Sequence, residues 1–341
     1  MKTIKLLVLI LISCQSCLKA QYGPLILDKP GIFKVVNGSV YGISDNKFTK
    51  TETDANYKKL VTVAEAIHKN PVMNNLKGFD CDATLVGSTL QKINGYGIPC
   101  FLEFMFRVWF LQEGKEVRWN DEAPHWDMEI NIMRETQGGG IFDYHTSTPG
   151  IISNPKYNRA QWDKAAENVR EIFQVTKNKE TLGKGIDRYN GETVIIYNAD
   201  RVPYWLPVTV REAFDLVIGF YRLDPNQAVV EAVGKILEAE YASFSESERD
   251  KYAYFSVTNS RPISRIGNDP TGDPIMRANP AYWNKSLPRS AIQILSFYYP
   301  ADRDFLKKEK EERLKDNNGE YHISRFVDVL DINTLVQLID R

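Results

Sequence analysis

Cysteine and histidine are scarce in this chain, four of each in 341 residues. Long apolar runs are scarcer still. Past the first dozen residues nothing approaches the roughly 18–20 apolar residues that a membrane-spanning helix needs, so no transmembrane span is expected. A basic excess is missing too: 43 Lys and Arg stand against 44 Asp and Glu. Nucleic-acid binders usually carry a surplus of positive charge, and no nucleic acid is expected as a partner.

Familiar catalytic signatures are also absent. The chain has no Walker loop, no dinucleotide glycine fingerprint and no His-Glu-x-x-His helix. Ser88, in Val-Gly-Ser-Thr-Leu, lacks the glycine pattern of a nucleophile elbow. Gly138-Gly139-Gly140 follows no phosphate-loop context. These gaps remove the easily recognised enzymes and leave the cofactor unknown.

What is present begins with an export pattern. Lys2 and Lys5 precede the apolar run Leu6 to Ile12, and Ala20-Gln21 offers a small-residue cleavage point, with a bulky Leu18 at minus three. Residues 1–20 are therefore expected to be a signal peptide, and the body to reach the periplasm or the extracellular space. A second reading competes. Leu11-Ile12-Ser13-Cys14 resembles the lipobox of bacterial lipoproteins, which would make Cys14 a lipidated first residue and the protein an outer-membrane lipoprotein. Cleavage at Ala20 removes Lys2, Lys5 and Lys19, leaving 40 basic residues against 44 acidic ones, a net charge of −4.

Only Cys81 and Cys100 survive that cleavage, with 18 residues between them. An oxidising compartment favours their pairing. A loop of that size would contribute about 3 kcal/mol in the chain-entropy view. A disulfide is expected, against the alternative of two buried thiols that never meet.

Periodicity organises the rest. Tyr57, Leu60, Ala64 and Ile67 recur at helical spacing until Asn70-Pro71. Gly97 to Gln112 reads as a long buried strand. Trp126, Met128, Ile130 and Ile132 alternate on one face of a second strand, expected to pair antiparallel with the first. Trp162, Ala166, Val169 and Phe173 suggest an amphipathic helix, and Thr193 to Tyr197 a short strand. Thr209 with Glu212 and Ser245 with Glu248 read as capping boxes. Asp224-Pro225 opens a further helix, Asp304 to Lys315 reads as a solvated one, and Asp331 caps a last short one.

Residues 261–288 show no convincing periodicity and read as a long loop. Ala291 to Tyr299 returns to strand. Strands and helices mix without βαβ alternation, so the fold class is α+β, with antiparallel sheets packed against helices. Gly138 to Pro155 is the expected boundary between an N-terminal region, 21–150, and a C-terminal one, 151–341, which could also form one domain with it.

The leading chemical constellation is His125-Trp126-Asp127-Met128-Glu129. On a strand His125, Asp127 and Glu129 share a face. They could act as an acid–base set, or His125 and Asp127 could chelate a metal with His145 as third ligand. The plainer account is the polar side of a half-exposed strand. Asn268, Asp269 and Asp273 form an oxygen-rich turn whose register does not match an EF-hand; turn chemistry accounts for it equally well. Tyr204-Trp205 and Tyr282-Trp283 lie beside prolines, where a flat ring could reach solvent and meet a glycan; core anchoring is the plainer role. His68 reads as a surface residue at a helix end, and His322 has no partner legible in sequence. The leading functional expectation is an exported envelope protein that binds a glycan or another envelope partner, such as a protein. The alternative is an extracytoplasmic hydrolase built on His125, Asp127 and Glu129, with or without a metal.

Overall fold

The computed structural model describes residues 23–37, 48–87, 96–120, 123–133, 169, 171–223, 230–255, 264–302, 308 and 320–341. Within them the chain is an α+β protein divided into two compact units. The first comprises Met1–Thr89, Gly97–Asn131 and Leu287–Arg341, the second Leu90–Tyr96 and Ile132–Ser286. The expected boundary segment 138–155 lies outside the described residues, as do Cys14, Ala20, Ser88, His145, Trp162, Asp224 and most of 304–315. The chain crosses between units at Asn131/Ile132 and returns at Ser286/Leu287.

The first unit opens with β1 (Phe33–Asn37), α1 (Lys50–His68), α2 (Pro71–Asn74), β2 (Phe79–Gly87), β3 (Cys100–Gln112), β4 (Lys115–Arg118) and β5 (His125–Ile130). The second holds β6 (Ile172–Gln174), β7 (Lys179–Gly183), β8 (Ile186–Tyr189), β9 (Thr193–Tyr197), β10 (Trp205–Pro207), α3 (Val210–Tyr221), α4 (Lys235–Ala242), α5 (Glu246–Arg249), β11 (Tyr254–Phe255), β12 (Ile266–Gly267) and β13 (Asp273–Ala278). A π-helical turn, Val230–Gly234, leads into α4. The chain then returns to the first unit with β14 (Ile294–Tyr298), α6 (Glu320–Asp328) and α7 (Ile332–Val336).

Alternation builds the first sheet. Along β3, Cys100, Leu102, Phe104, Phe106, Val108 and Phe110 are buried, while the residues between them are half-exposed. Antiparallel pairing with β2 and β5 carries that phase across, so Cys81, Ala83 and Leu85 on one side and Trp126, Met128 and Ile130 on the other face inward. β1 adds in parallel to β2, and β14 adds antiparallel to β5.

The helices cover the inward face. α1 is started by a complete capping box, Thr49 and Glu52, and buries Leu60, Val63, Ala64 and Ile67 at helical spacing. From α6, Phe326 packs edge-on to Trp126 at 5.1 Å and against Phe106 at 5.9 Å. Trp126 is held in turn by its indole N–H, which donates to the Tyr298 carbonyl at 3.0 Å. Truncating Phe326, which is wholly buried, would cost about 3–5 kcal/mol on the scale of core Phe→Ala changes.

Asn131 closes this unit where the chain leaves it. Its backbone sits at φ 56°, a conformation Asn tolerates better than most residues. Its buried amide donates to the carbonyls of Ile98 (3.3 Å) and Ala291 (2.9 Å), and its carbonyl accepts from the Gln293 N–H (2.8 Å).

The expected disulfide is not present: Cys81 and Cys100 are both free, buried thiols. The register explains why. Cys81 lies opposite Phe106, and Cys100 lies opposite Gly87, six positions away along the same strand pair. Six residues of strand separate the two sulfurs by about 20 Å, against Cα separations of roughly 4.4–6.8 Å in disulfides. Burial, together with the nearby Asp82 and Asp80 charges, pushes the Cys81 thiol well above its ordinary range. Burial lifts Cys100 to about 12.

In the second unit β7, β8 and β9 form an antiparallel meander. Gly185 makes the tight β7–β8 connection: its φ is +76°, and a Cβ there would lie 2.3 Å from the Tyr197 carbonyl oxygen. A second sheet centres on β13, which pairs antiparallel with β10, β11 and β6; β12 extends it beyond β11. That strand corrects the expectation of a loop through 261–288. Its Pro and Asp residues disguised a strand in which Ile275 alone is fully buried. The helix expected through Phe173 is also corrected, because Ile172–Gln174 are strand β6. α3, started by Thr209 and Glu212, buries Val210, Ala213, Phe214, Val217 and Ile218 against Leu237, Phe244 and Ile266.

Candidate functional site

Among the described residues, each unit carries a cluster of chemically able side chains. The first lies on the open face of the first sheet, and pairing register places it. Helices occupy the face of Phe104 and Trp126, so the residues between them, Glu103, His125 and Asp127, project to the other side. Glu103 is directly opposite Asp127, and His125 lies one strand step along. His125 Nδ1 is 3.9 Å from Glu103 Oε1, and its Nε2 is 3.6 Å from Asp127 Oδ2. One ligand atom from each of the three lies within 4.8 Å of the others.

Partial burial raises the Asp127 carboxyl above its ordinary range; His125 opposes that shift and Glu103 adds to it. Glu129 turns elsewhere and accepts from the Ser296 hydroxyl at 3.1 Å. Of the residues expected to act together, His125 and Asp127 therefore meet, Glu129 engages β14, and His145 lies outside the described residues. Glu103, which sequence reading missed, completes the group.

The second cluster is a cavity of about 590 Å³ in the second unit. Val175, Asp187, Tyr189, Tyr204 and Trp205 are its buried residues; Lys177, Lys179 and Pro203 are exposed at its edge. Tyr197 and Arg201, half-buried, add to the polar and aromatic lining. Asp187 is wholly buried, yet both of its carboxylate oxygens are engaged. It accepts from Tyr204 OH at 2.8 Å, from Thr181 Oγ1 at 2.9 Å and from the Lys179 ammonium at 2.8 Å. Because Tyr204 gives its proton to Asp187, the 2.5 Å contact between hydroxyls is donated by Tyr189.

Burial raises Tyr189, Tyr197 and Tyr204, the last furthest, and Tyr197 is pushed up to about 12. These hydroxyls stay protonated donors at any physiological pH. The rings brace one another: Trp205 stands 4.9 Å from Tyr204, 5.2 Å from Tyr189 and 5.5 Å from Phe173. The Trp205 indole N–H is buried and has no acceptor among the described residues.

The four rings singled out by sequence are all buried, at 1–5% exposure, in keeping with the plainer, core-anchoring role read for them. Tyr204 and Trp205 nevertheless line the cavity. Tyr282 accepts the Asn198 N–H on its hydroxyl and carries the Arg201 guanidinium over its ring at 5.2 Å. Trp283 packs against Tyr282 at 5.9 Å.

Sequence reading missed Asp187, Tyr189, Tyr197, Lys179 and Arg201. One signal was available: in Ile186-Asp187-Arg188-Tyr189 the aspartate shares a strand face with an aromatic ring, an unusual partner for a solvated charge.

The remaining candidates resolve into structural roles. Asp269 Oδ1 accepts the Thr271 N–H, and Asp273 accepts from Lys177 N and Gln174 Nε2, so both carboxylates serve turns and strand ends. His68 stacks flat on Phe33 at 4.1 Å. His322 is fully buried against Phe79, with no hydrogen-bond partner for either ring nitrogen among the described residues. Among the described residues no helix is long and apolar enough to cross a membrane. Comparison of the chain with protein-family models, with curated proteins and with solved structures finds no match in any of the three.

Proposed function

We propose that this chain is an exported envelope binding protein that holds a glycan ring in the aromatic cavity of its second unit. The observation carrying the proposal is a cavity of about 590 Å³ that joins braced aromatic rings to a buried carboxylate with both oxygens engaged. Its volume falls within the roughly 300–1,000 Å³ of small-ligand sites, which combine apolar walls with a few fixed polar groups. A sugar ring matches that lining on both counts. Its C–H face is apolar and lies well on Tyr or Trp, while its hydroxyls can exchange hydrogen bonds with Tyr197, Lys179 and Arg201.

Binding fits these residues better than glycoside hydrolysis. Hydrolysis generally needs two facing carboxyl groups, and among the described lining residues Asp187 is the sole carboxylate, already held by Lys179. Export rests on Lys2, Lys5 and the Leu6–Ile12 run.

Titration calorimetry against a panel of envelope oligosaccharides tests the reading. We expect at least one saccharide to bind, and Tyr197→Ala and Arg201→Ala each to weaken it tenfold or more with folding intact. Retained affinity in both variants would overturn the assignment to this cavity.

A further inference from the structure

We propose that Glu103, His125 and Asp127 form a divalent-cation site, of the kind that takes zinc, on the open face of the first unit's sheet. The inference is independent of the glycan reading. Its first support is backbone-fixed geometry. Glu103 and Asp127 are partners across an antiparallel strand pair, so their separation is set by ladder register rather than by a loop. Like charges in that relation are destabilising.

Its second support is how the same face treats its other acidic positions. Asp82 is paired with the Arg107 guanidinium at 2.6 Å, and Asp80 with that of Arg118 at 3.0 Å. Among the described residues, Glu103 and Asp127 have no lysine or arginine within ion-pair distance, and share only His125. With the imidazole neutral, the trio carries two negative charges, and a divalent ion would balance them.

The donor set specifies the ion. One imidazole nitrogen with two carboxylate oxygens suits zinc and similar borderline ions better than calcium, which takes six to eight oxygens. Zinc bonds of about 2.0–2.2 Å at tetrahedral angles bring ligand atoms to about 3.4 Å of one another. The present limit of 4.8 Å leaves at most about 1.4 Å to close to that zinc geometry, and side-chain exposures of 28% for Glu103, 51% for His125 and 46% for Asp127 leave room for that rotation. Three protein ligands would leave a fourth position for water, as in catalytic rather than structural zinc sites.

The test uses the chain purified without a histidine tag and stripped by chelation. Calorimetry with Zn²⁺ should give one equivalent bound, and Co²⁺ should give the visible bands of a low-symmetry site. Glu103→Gln, His125→Gln and Asp127→Asn should each weaken Zn²⁺ at least tenfold and remove the Co²⁺ bands. Glu129→Gln should bind like the parent, since that carboxylate is engaged with Ser296. Circular dichroism on each variant confirms the fold. Absence of binding, undiminished binding in all three ligand variants, or equal loss in Glu129→Gln would overturn the proposal.

Discussion

The two units use the same chemical parts in opposite ways. In the first, Asp127 sits on an open sheet face beside another carboxylate, and partial burial raises its carboxyl above the ordinary range. In the second, Asp187 is wholly buried, yet two hydroxyls and an ammonium ion satisfy it. Burial alone therefore does not decide whether a charge is costly here. Partnership does. An exposed carboxylate short of a counter-charge is a place where a cation can be gained, and a buried one with both oxygens engaged is a rigid wall for a cavity.

That contrast can be broken by removing each carboxylate in turn, and the largest effect is expected at Asp187. Asp187→Ala leaves Lys179, Thr181 and Tyr204 without their acceptor. Breaking a buried pair from one side typically costs 3–5 kcal/mol; with Lys179 itself 44% exposed, on the order of 3 kcal/mol is expected. Asp127→Asn should stay within about 0.5 kcal/mol of the parent, or stabilise slightly, as an exposed substitution that relieves repulsion. Urea unfolding of both variants measures the difference. Equal losses would dissolve the contrast.

A buried imidazole with no hydrogen-bond partner among the described residues sharpens it further. His322 has its imidazole held down to about 3, chiefly by burial and secondarily by the Arg325 charge. An unfolded chain takes up that proton near pH 6.5. Between about 3 and 6.5 the unfolded state thus binds a proton that the folded state refuses, and stability falls as pH drops. The slope contributed is at most about 1.4 kcal/mol per pH unit, and the effect vanishes above pH 6.5. His322→Leu should flatten the stability profile between pH 6.5 and 5 relative to the parent. Identical slopes in the two proteins would show that the imidazole is hydrated or partnered.

The smallest effect is expected at the cysteines. Both are free and buried, with thiols pushed up by desolvation, and the thiolate is the reactive form. Iodoacetamide should leave the native protein unlabelled and modify Cys81 and Cys100 once it is denatured. A reductant should shift the unfolding free energy by less than about 0.5 kcal/mol. A cross-linked peptide spanning the two positions would contradict the register of β2 and β3.

Where apolar spacing was strict, the sequence was legible. The alternation from Cys100 to Phe110, the helix through Leu60, Ala64 and Ile67, and the capping boxes at Thr49 or Thr209 are local signals that packing did not override. Thr49 itself was not singled out, although Glu52 three residues on carries the signature. β13 was illegible because its Asp-Pro start suits a loop, and pairing on both sides recruits it into a sheet. The disulfide expectation failed because loop length says nothing about strand register.

Site legibility followed the same line. His125 and Asp127 share a strand, so their proximity could be read, whereas Glu103 comes from a neighbouring strand whose offset only the pairing reveals. The aromatic cavity gathers β8, β9, β10 and β13 with the connections between them, and only Tyr204 and Trp205 stood out beforehand.

The claim on which the functional account turns is that the braced rings of the second unit receive a sugar. Saturation-transfer difference NMR, with the tightest saccharide from the calorimetric panel, reads that contact directly. The account predicts strong transfer from aromatic protons to the C–H protons on one face of the sugar ring. It also predicts loss of that transfer in Tyr197→Ala and Arg201→Ala, and its full retention in Asp127→Asn. Transfer that persists in both cavity variants, or that disappears in Asp127→Asn, would contradict it.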